Sequence, residues 1–85
     1  MLGELIEAQE KVVGLKEVTK SAQEGKLRRI YIAADADRAL VNQLTGLAEA
    51  CQIEAVLVPT KRELGEAAGI DVDSACAALL RETEK

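Results

Sequence analysis

The feature that most constrains the fold is a regular alternation of short apolar runs with helical segments. Four runs are rich in β-branched or small apolar residues, as is typical of buried strands: KVVG (Lys11–Gly14), RIYIAA (Arg29–Ala34), EAVLVP (Glu54–Pro59) and ACAALL (Ala75–Leu80). Helical patterns alternate with them over residues 3–10, 16–24, 38–51 and 61–68. The order α-β-α-β-α-β-α-β predicts an α/β/α layered domain around a largely parallel or mixed sheet.

Several residues predict where the helices begin and end. Asp37 suits the N-cap of the helix over 38–51, because an Asp side chain can accept hydrogen bonds from the free N–H groups of the first turn. The segment Thr60–Glu63 has the spacing of a capping box. Gly25 and Gly69 suit the positions that follow a helix.

Size and composition exclude several classes of protein. The 85 residues predict one domain, residues 1–85, with a modest core and a charged tail over 81–85. Tyr31 is the only aromatic residue, so a platform of aromatic side chains that stack on bases is excluded. No apolar run approaches the roughly 18 residues of a membrane span, and no signal peptide is visible. We therefore expect a cytoplasmic protein without a membrane partner, in which Cys51 and Cys76 are reduced core thiols.

Charge is distributed unevenly along the chain. The net charge is −4, but residues 1–34 carry +1 (six Lys/Arg and five Asp/Glu) and residues 35–85 carry −5 (five and ten). Any surface that binds an anion must therefore be local, and we expect it in the N-terminal half or at Lys61–Arg62. The absence of histidine excludes Ser–His and Cys–His nucleophiles and histidine-ligated metals.

Two acidic residues allow an enzymatic interpretation. Asp35 and Asp37 follow a predicted buried strand, where an acidic pair can hold Mg²⁺ or supply a nucleophile. The alternative is that Asp37 caps the next helix and Asp35 forms a turn. We favour this alternative, because a phosphotransfer site also needs a lysine and further acids on other strand ends. We therefore expect no enzymatic activity, cofactor, metal site or small-molecule substrate.

The segment GLKEVTK (Gly14–Lys20) places lysines at the start of a predicted helix, where the positive end of the helix dipole ordinarily favours acids. The segment matches neither glycine-rich nucleotide motif. Its free N–H groups and its two lysines, which share one face as an i,i+4 pair, suit an anionic partner. Lys16 can pair with guanine and Glu17 with a base amino or imino group, as in a helix end that reads a groove. The other interpretation is an ordinary solvated helix face.

The segment ELGEAAGIDVDSA (Glu63–Ala75) is the second candidate. Gly65 lies inside a predicted helix, where glycine costs up to about 1 kcal/mol relative to alanine, which suggests that something closely approaches its backbone. Ile70 and Val72 then alternate with acidic residues in a loop. Ile70 either makes a Schellman contact onto the preceding helix or forms an apolar loop tip that covers an extruded base, and both interpretations stay open.

Three segments carry a resemblance to a known family: GLKEVTKSAQEGK, IYIAADAD and VPTKRELGEAAGIDV. Over residues 3–80 the chain resembles the kink-turn RNA-binding ribosomal proteins, the large-subunit "seven-Ae"/"thirty-e" superfamily, and in particular their small bacterial members. The third segment is the most specific, with a strand, then V-P-x-K and ELGxAAGI. The resemblance implies an α/β/α sandwich with a mixed four-stranded sheet.

The target that the resemblance implies is a bent RNA duplex with a three-nucleotide bulge beside tandem sheared G·A pairs. Gly14 would let the backbone approach the RNA, while Lys16 and Glu17 would contact the guanines. Lys20 would reach a phosphate or a guanine. The loop over the bulge would consist of Gly69, Ile70, Asp71 and Val72. Archaeal members usually have asparagine at the position of Lys16, where lysine adds charge but lacks the paired donor and acceptor of an amide.

These observations predict a non-enzymatic protein that recognises and stabilises kink-turns in ribosomal RNA or a structured mRNA element. The expected partners are the kink-turn RNA and the ribosome, and we expect a monomer. The alternative is a protein-interaction module of the same fold that does not bind RNA.

Overall fold

All eight predicted elements are present, in the predicted order. The structure is a computed structural model that describes residues 2–7, 10–70 and 72–81. The elements are α1 (Leu2–Glu7), β1 (Lys11–Val13), α2 (Leu15–Gln23), β2 (Leu27–Ala33), α3 (Arg38–Ala50), β3 (Glu54–Val58), α4 (Lys61–Ala68) and β4 (Cys76–Leu80). Within the described ranges, every helix is too short or too polar to cross a membrane.

The four strands form one sheet in the order β1-β4-β2-β3. β2 and β3 are parallel, with Tyr31 opposite Val56. β4 lies between β1 and β2 and runs antiparallel to both, so that Ala78 pairs with Val12 on one side and with Ile30 on the other. This arrangement confirms the mixed four-stranded sheet that the resemblance implied.

Helices cover both faces of the sheet, because apolar side chains alternate in direction along the buried strands. On β2, Ile30 and Ile32 belong to the cluster that packs against α2 and α3, whereas Tyr31 and Ala33 belong to the cluster that packs against α1 and α4. The first cluster consists of Val18, Ala22, Leu27, Ile30, Ile32, Leu44, Ala48, Cys76 and Ala78. The second consists of Leu5, Tyr31, Ala33, Val56, Val58, Leu64, Ala67, Ala68, Ala77 and Leu79. The predicted α/β/α sandwich is confirmed.

The predicted ends of α2, α3 and α4 are also confirmed, whereas the first helix, predicted over residues 3–10, is described over Leu2–Glu7, and Glu10 lies outside it. The Asp37 carboxylate accepts a hydrogen bond from the Ala39 N–H at 3.1 Å, and the Thr60 hydroxyl accepts one from the Glu63 N–H at 3.1 Å. Gly25 has φ 73° directly after the C-cap residue of α2. This left-handed backbone is one that glycine adopts without strain.

The interpretation of Glu54–Pro59 as a fully buried strand is wrong on one face. β3 is an edge strand, in which Val56 and Val58 are buried but Leu57 is 62% exposed. Val56 and Val58 pack under α4, whereas Leu57 lies on the opposite face of the sheet. Because β3 is an edge strand, it has a neighbouring strand on one side only. The apolar run in the sequence does not distinguish an edge strand from a central one.

Candidate nucleic-acid interface

Both predicted site segments lie at one edge of the sheet, which we call the carboxyl edge: the edge at which β1, β2 and β3 end and β4 begins. β1, β2 and β3 all run in the direction opposite to β4. The helices α2, α3 and α4 therefore all begin at the carboxyl edge, and the loop that follows α4 returns to it.

A direct hydrogen bond joins the start of α2 to the start of β4, the strand that follows the loop. The Gly14 N–H donates to the Cys76 carbonyl at 3.1 Å, which continues the β1–β4 ladder by one residue. On the other side of β4, the Ala33 N–H donates to the Ala75 carbonyl at 2.9 Å. The end of the loop is thus held between the strands that lead into α2 and α3.

Gly14 shapes the opening of α2. Its φ of 97° lies in the region that favours glycine, and a Cβ placed on it would have no heavy atom within 4 Å. Its carbonyl accepts the first helical hydrogen bond from Val18 at 3.0 Å, and it has no side chain to cap the free N–H groups of the first turn. The first turn of α2 therefore has no side-chain cap, and its free N–H groups can donate to a partner.

The three predicted contact residues of α2 lie on its outer face, but the prediction that both lysines stand at the helix start is wrong for Lys20, which lies in the last turn. Lys16, Glu17 and Lys20 are exposed, while Val18 and Ala22 on the opposite face are buried against the sheet. Within the described part of the chain, none of the three polar residues makes a salt bridge. Their charges are therefore available to a partner without first breaking an ion pair.

The loop after α4 begins with a Schellman motif. Gly69 has φ 81°, its N–H donates to Glu66 at 3.1 Å, and the Ile70 N–H donates to the Gly65 carbonyl at 3.1 Å. The Ile70 side chain is half-buried, whereas Val72 is 68% exposed. The backbone of Ile70 therefore takes part in a Schellman motif, as one of the two interpretations of this residue predicted. Val72 is the more accessible apolar side chain. The predicted contact residue Asp71 lies outside the described residues.

Lys61 is a residue of the carboxyl edge that the predicted contact set omitted, although the sequence marked it as a possible anion site. Its N–H donates to an oxygen of the Asp35 carboxylate at 2.8 Å, and its carbonyl accepts from the Ser74 N–H at 3.0 Å. These bonds fix the turn after β2, the start of α4 and the loop to one another. The parallel pairing of β2 and β3 was the signal that could have placed Lys61 here, since parallel strands end at the same edge.

The acidic pair of the enzymatic interpretation is engaged by backbone donors. Asp37 caps α3, and Asp35, which lies in a turn, accepts from the start of α4. Among the residues that the structure describes, no group of three or more His, Cys, Asp or Glu side chains is placed to hold a metal ion. The carboxylates of Asp35 and Asp37 therefore have clear structural roles.

A buried thiol lies beneath the start of α2. Cys76 is fully buried, and burial raises the pKa of its thiol to about 11, an effect that the nearby Gly14 N–H only partly offsets. Cys51 is half-buried at the end of α3, and both thiols are free. Cys76 thus fills the space under the turn that presents Lys16 and Glu17.

Comparison with known proteins gives relatives that match this architecture. An RNA-binding protein of Bacillus pumilus is 32% identical over 74 residues, which cover 87% of this chain and 90% of that protein. An RNA-binding protein of Caldanaerobacter subterraneus is 38% identical over 68 residues, 80% of this chain and 83% of that protein. The solved Giardia lamblia 15.5kD RNA binding protein superposes with a TM-score of 0.82 at 27% identity, covering 95% of this chain and 68% of that one.

A second solved structure, of a Bacillus halodurans protein of unknown function, has the same fold, with a TM-score of 0.82 at 22% identity over 94% of this chain and 80% of that one. The model of one family, described as "Ribosomal protein L7Ae/L30e/S12e/Gadd45 family", matches residues 2–85. On this match and on the shared mixed sheet, the chain belongs to the ribosomal protein L7Ae/L30e/S12e/Gadd45 family.

Proposed function

We propose that this protein binds structured RNA at the carboxyl edge and that its preferred target is a kink-turn. The observation that carries the proposal is the hydrogen bond from Gly14 to the Cys76 carbonyl at 3.1 Å. It brings two segments that are far apart in the sequence, the start of α2 and the loop after α4, onto one continuous surface. Relatives that cover most of this chain are named RNA-binding proteins, which supports the same conclusion.

In the proposed complex the start of α2 enters the groove at the sheared G·A pairs. The open space in front of Gly14 lets the backbone approach the RNA closely. Lys16 donates to guanine, Glu17 accepts from a base N–H, and Lys20 contacts a phosphate or a guanine. The loop of Gly69, Ile70, Asp71 and Val72 covers the bulged nucleotides. The exposure of Val72 supports an apolar contact with a base.

Electrostatics support a local rather than a global attraction. The chain carries a net charge of −4, so its overall field repels RNA. At the start of α2, however, Lys16 stands at the positive end of a helix, an arrangement that costs about 0.3–1 kcal/mol in isolation. A phosphate-rich partner reverses this cost, which gives a physical reason for a lysine at this position.

We place the target in ribosomal RNA or a structured mRNA element, with the ribosome as the associated assembly. We further propose that one copy of the chain acts alone, in the cytoplasm. The carboxyl edge contains both the α2 face and the loop, so a single domain can contact both strands of a bent duplex.

The decisive experiment compares two duplexes of equal length and charge. One contains the bulge and tandem sheared G·A pairs, and the other has Watson–Crick pairs in place of the G·A pairs. We expect specific binding to the first and only weak, salt-sensitive binding to the second. Equal affinity for both would rule out kink-turn recognition. If neither duplex binds, the protein-interaction module becomes the better account.

A further inference from the structure

Among the glycines that the structure describes, Gly65 lies closest to the backbone of another segment. It is buried inside α4, and its φ is not positive, so its backbone conformation is open to any residue. The space around Gly65, however, does not accommodate a larger residue. A Cβ at this position would overlap the Val72 carbonyl oxygen and would lie 3.1 Å from the Val72 carbonyl carbon and 3.2 Å from the Asp73 Cα.

These neighbouring atoms are backbone atoms, so no side-chain rotation could make room for a methyl group. Carbon atoms in favourable contact are about 3.5–4.0 Å apart, well beyond the distances found here. Any residue larger than glycine must therefore push the backbone of Val72 and Asp73 away from α4.

The loop is held against α4 by hydrogen bonds on both sides of this contact. The Ile70 N–H donates to the Gly65 carbonyl at 3.1 Å, and the Ser74 N–H donates to the Lys61 carbonyl at 3.0 Å. The Ser74 hydroxyl then donates to the Cys76 carbonyl at 2.7 Å, at the start of β4. These bonds hold the described part of the loop, residues 72–74, against α4, and Gly65 lets it lie this close.

We infer that Gly65 is a positioning residue for RNA recognition: it sets where Val72 stands at the carboxyl edge and so controls contact with the bulged nucleotides. This inference rests on the proposed function, and it adds to it that the loop is preset rather than closing on the RNA. Glycine weakens a helix relative to alanine. Its presence inside α4 is explained by the seat that it provides for the loop.

Gly65→Ala tests the inference, and the chain offers a matched control in Gly46→Ala. Gly46 also lies inside a helix, α3, but a Cβ there would have no neighbour within 4 Å. Both substitutions add one methyl group and the same helix propensity. We expect Gly46→Ala to bind a kink-turn duplex as the wild type does. We expect Gly65→Ala to bind about tenfold more weakly, as when one buried apolar contact is lost.

Two further readouts separate positioning from a general loss of structure. With 2-aminopurine in the bulge, fully bound Gly65→Ala should give an emission that differs from that of the wild type and of Gly46→Ala. In addition, Val72→Ala should be non-additive with Gly65→Ala: the double variant should bind within about twofold of the weaker single variant, because both changes act on one contact.

Amide hydrogen exchange of the free wild-type protein provides a test that does not depend on a variant that folds. The N–H groups of Ile70 and Ser74 should exchange as slowly as those inside α4 when no RNA is present. Unprotected exchange at these amides would overturn a preset loop.

The outcomes distinguish this inference from the proposed function. If wild type and Gly46→Ala bind the kink-turn and Gly65→Ala binds equally well, or if its effect simply adds to that of Val72→Ala, only the role of Gly65 is refuted. If the wild type itself does not prefer the kink-turn to the Watson–Crick duplex, the proposed function fails, and the role of Gly65 in RNA recognition fails with it.

Discussion

Replacing Lys16 by alanine should raise the free energy of unfolding of the free protein and lower its affinity for RNA. Lys16 is exposed in the first turn of α2, and it has no salt bridge within the described residues. Its removal therefore breaks no ion pair among the described residues. It relieves an unfavourable interaction with the helix dipole and replaces lysine by the best helix former.

The expected changes in stability and in RNA affinity have different sizes. Relief of the dipole interaction is worth about 0.3–1 kcal/mol at low salt, so the free energy of unfolding should rise by about 0.5 kcal/mol. In the complex, loss of a hydrogen bond to guanine should cost about 1–3 kcal/mol, which corresponds to a roughly fivefold to 150-fold weaker affinity.

Lys26→Ala is the matched control. Lys26 is also exposed and follows α2 at its other end, where it pairs with Glu24 at 3.1 Å. The substitution changes net charge by the same amount, but a lysine there is favourable to the dipole. We expect Lys26→Ala to lower the free energy of unfolding slightly and to leave RNA affinity within about twofold.

The assays are urea unfolding and gel-shift titration with a kink-turn duplex, both at low salt and at 0.15 M salt. The stabilisation by Lys16→Ala should shrink as salt screens the dipole. Equal losses of affinity in Lys16→Ala and Lys26→Ala would show that only overall charge matters. A lower free energy of unfolding for Lys16→Ala would mean that the residue has a structural role, and the dipole argument would be refuted.

Three other predictions test the α2 face, the loop and the buried thiol. Lys20→Ala should reduce the slope of log K against log[salt] by about one phosphate contact, and an unchanged slope would place that contact elsewhere. Ile70→Ala should lower the free energy of unfolding by about 1 kcal/mol because its side chain is half-buried, whereas Val72→Ala should change it by less than about 0.5 kcal/mol. Thermal unfolding measures both effects, and equal effects would contradict the difference in burial. Burial raises the pKa of the native Cys76 thiol from its ordinary value of 9.0 to about 11, so the native state keeps a proton that the unfolded chain releases. This contribution to stability is complete below pH 9 and is lost as the pH rises towards 11, by roughly 2–3 kcal/mol in total. Urea unfolding across this range should therefore show a steeper decline for the wild type than for Cys76→Ala, and parallel declines would contradict the assignment.

Local signals in the sequence determined the elements and their ends. Four apolar runs separated by amphipathic helices predicted the order of strands and helices, and the structure follows it. The caps at Asp37 and Thr60 and the glycines after α2 and α4 were predictable for the same reason. Each of these features depends on hydrogen bonds between residues only a few positions apart, so the chemistry of a short segment is sufficient to indicate it.

Only the tertiary structure decided which segments meet. The sequence did not show that β4 lies between β1 and β2, nor that this pairing joins Gly14 to Cys76. It suggested a close approach to Gly65 but not that the approaching atoms belong to Val72 and Asp73. The link between Asp35 and Lys61 spans 26 positions, and the exposure of Leu57 follows from the place of β3 at the edge. Strand pairing and loop docking join residues far apart in the chain, and their outcome depends on the packing of the whole domain rather than on any local pattern.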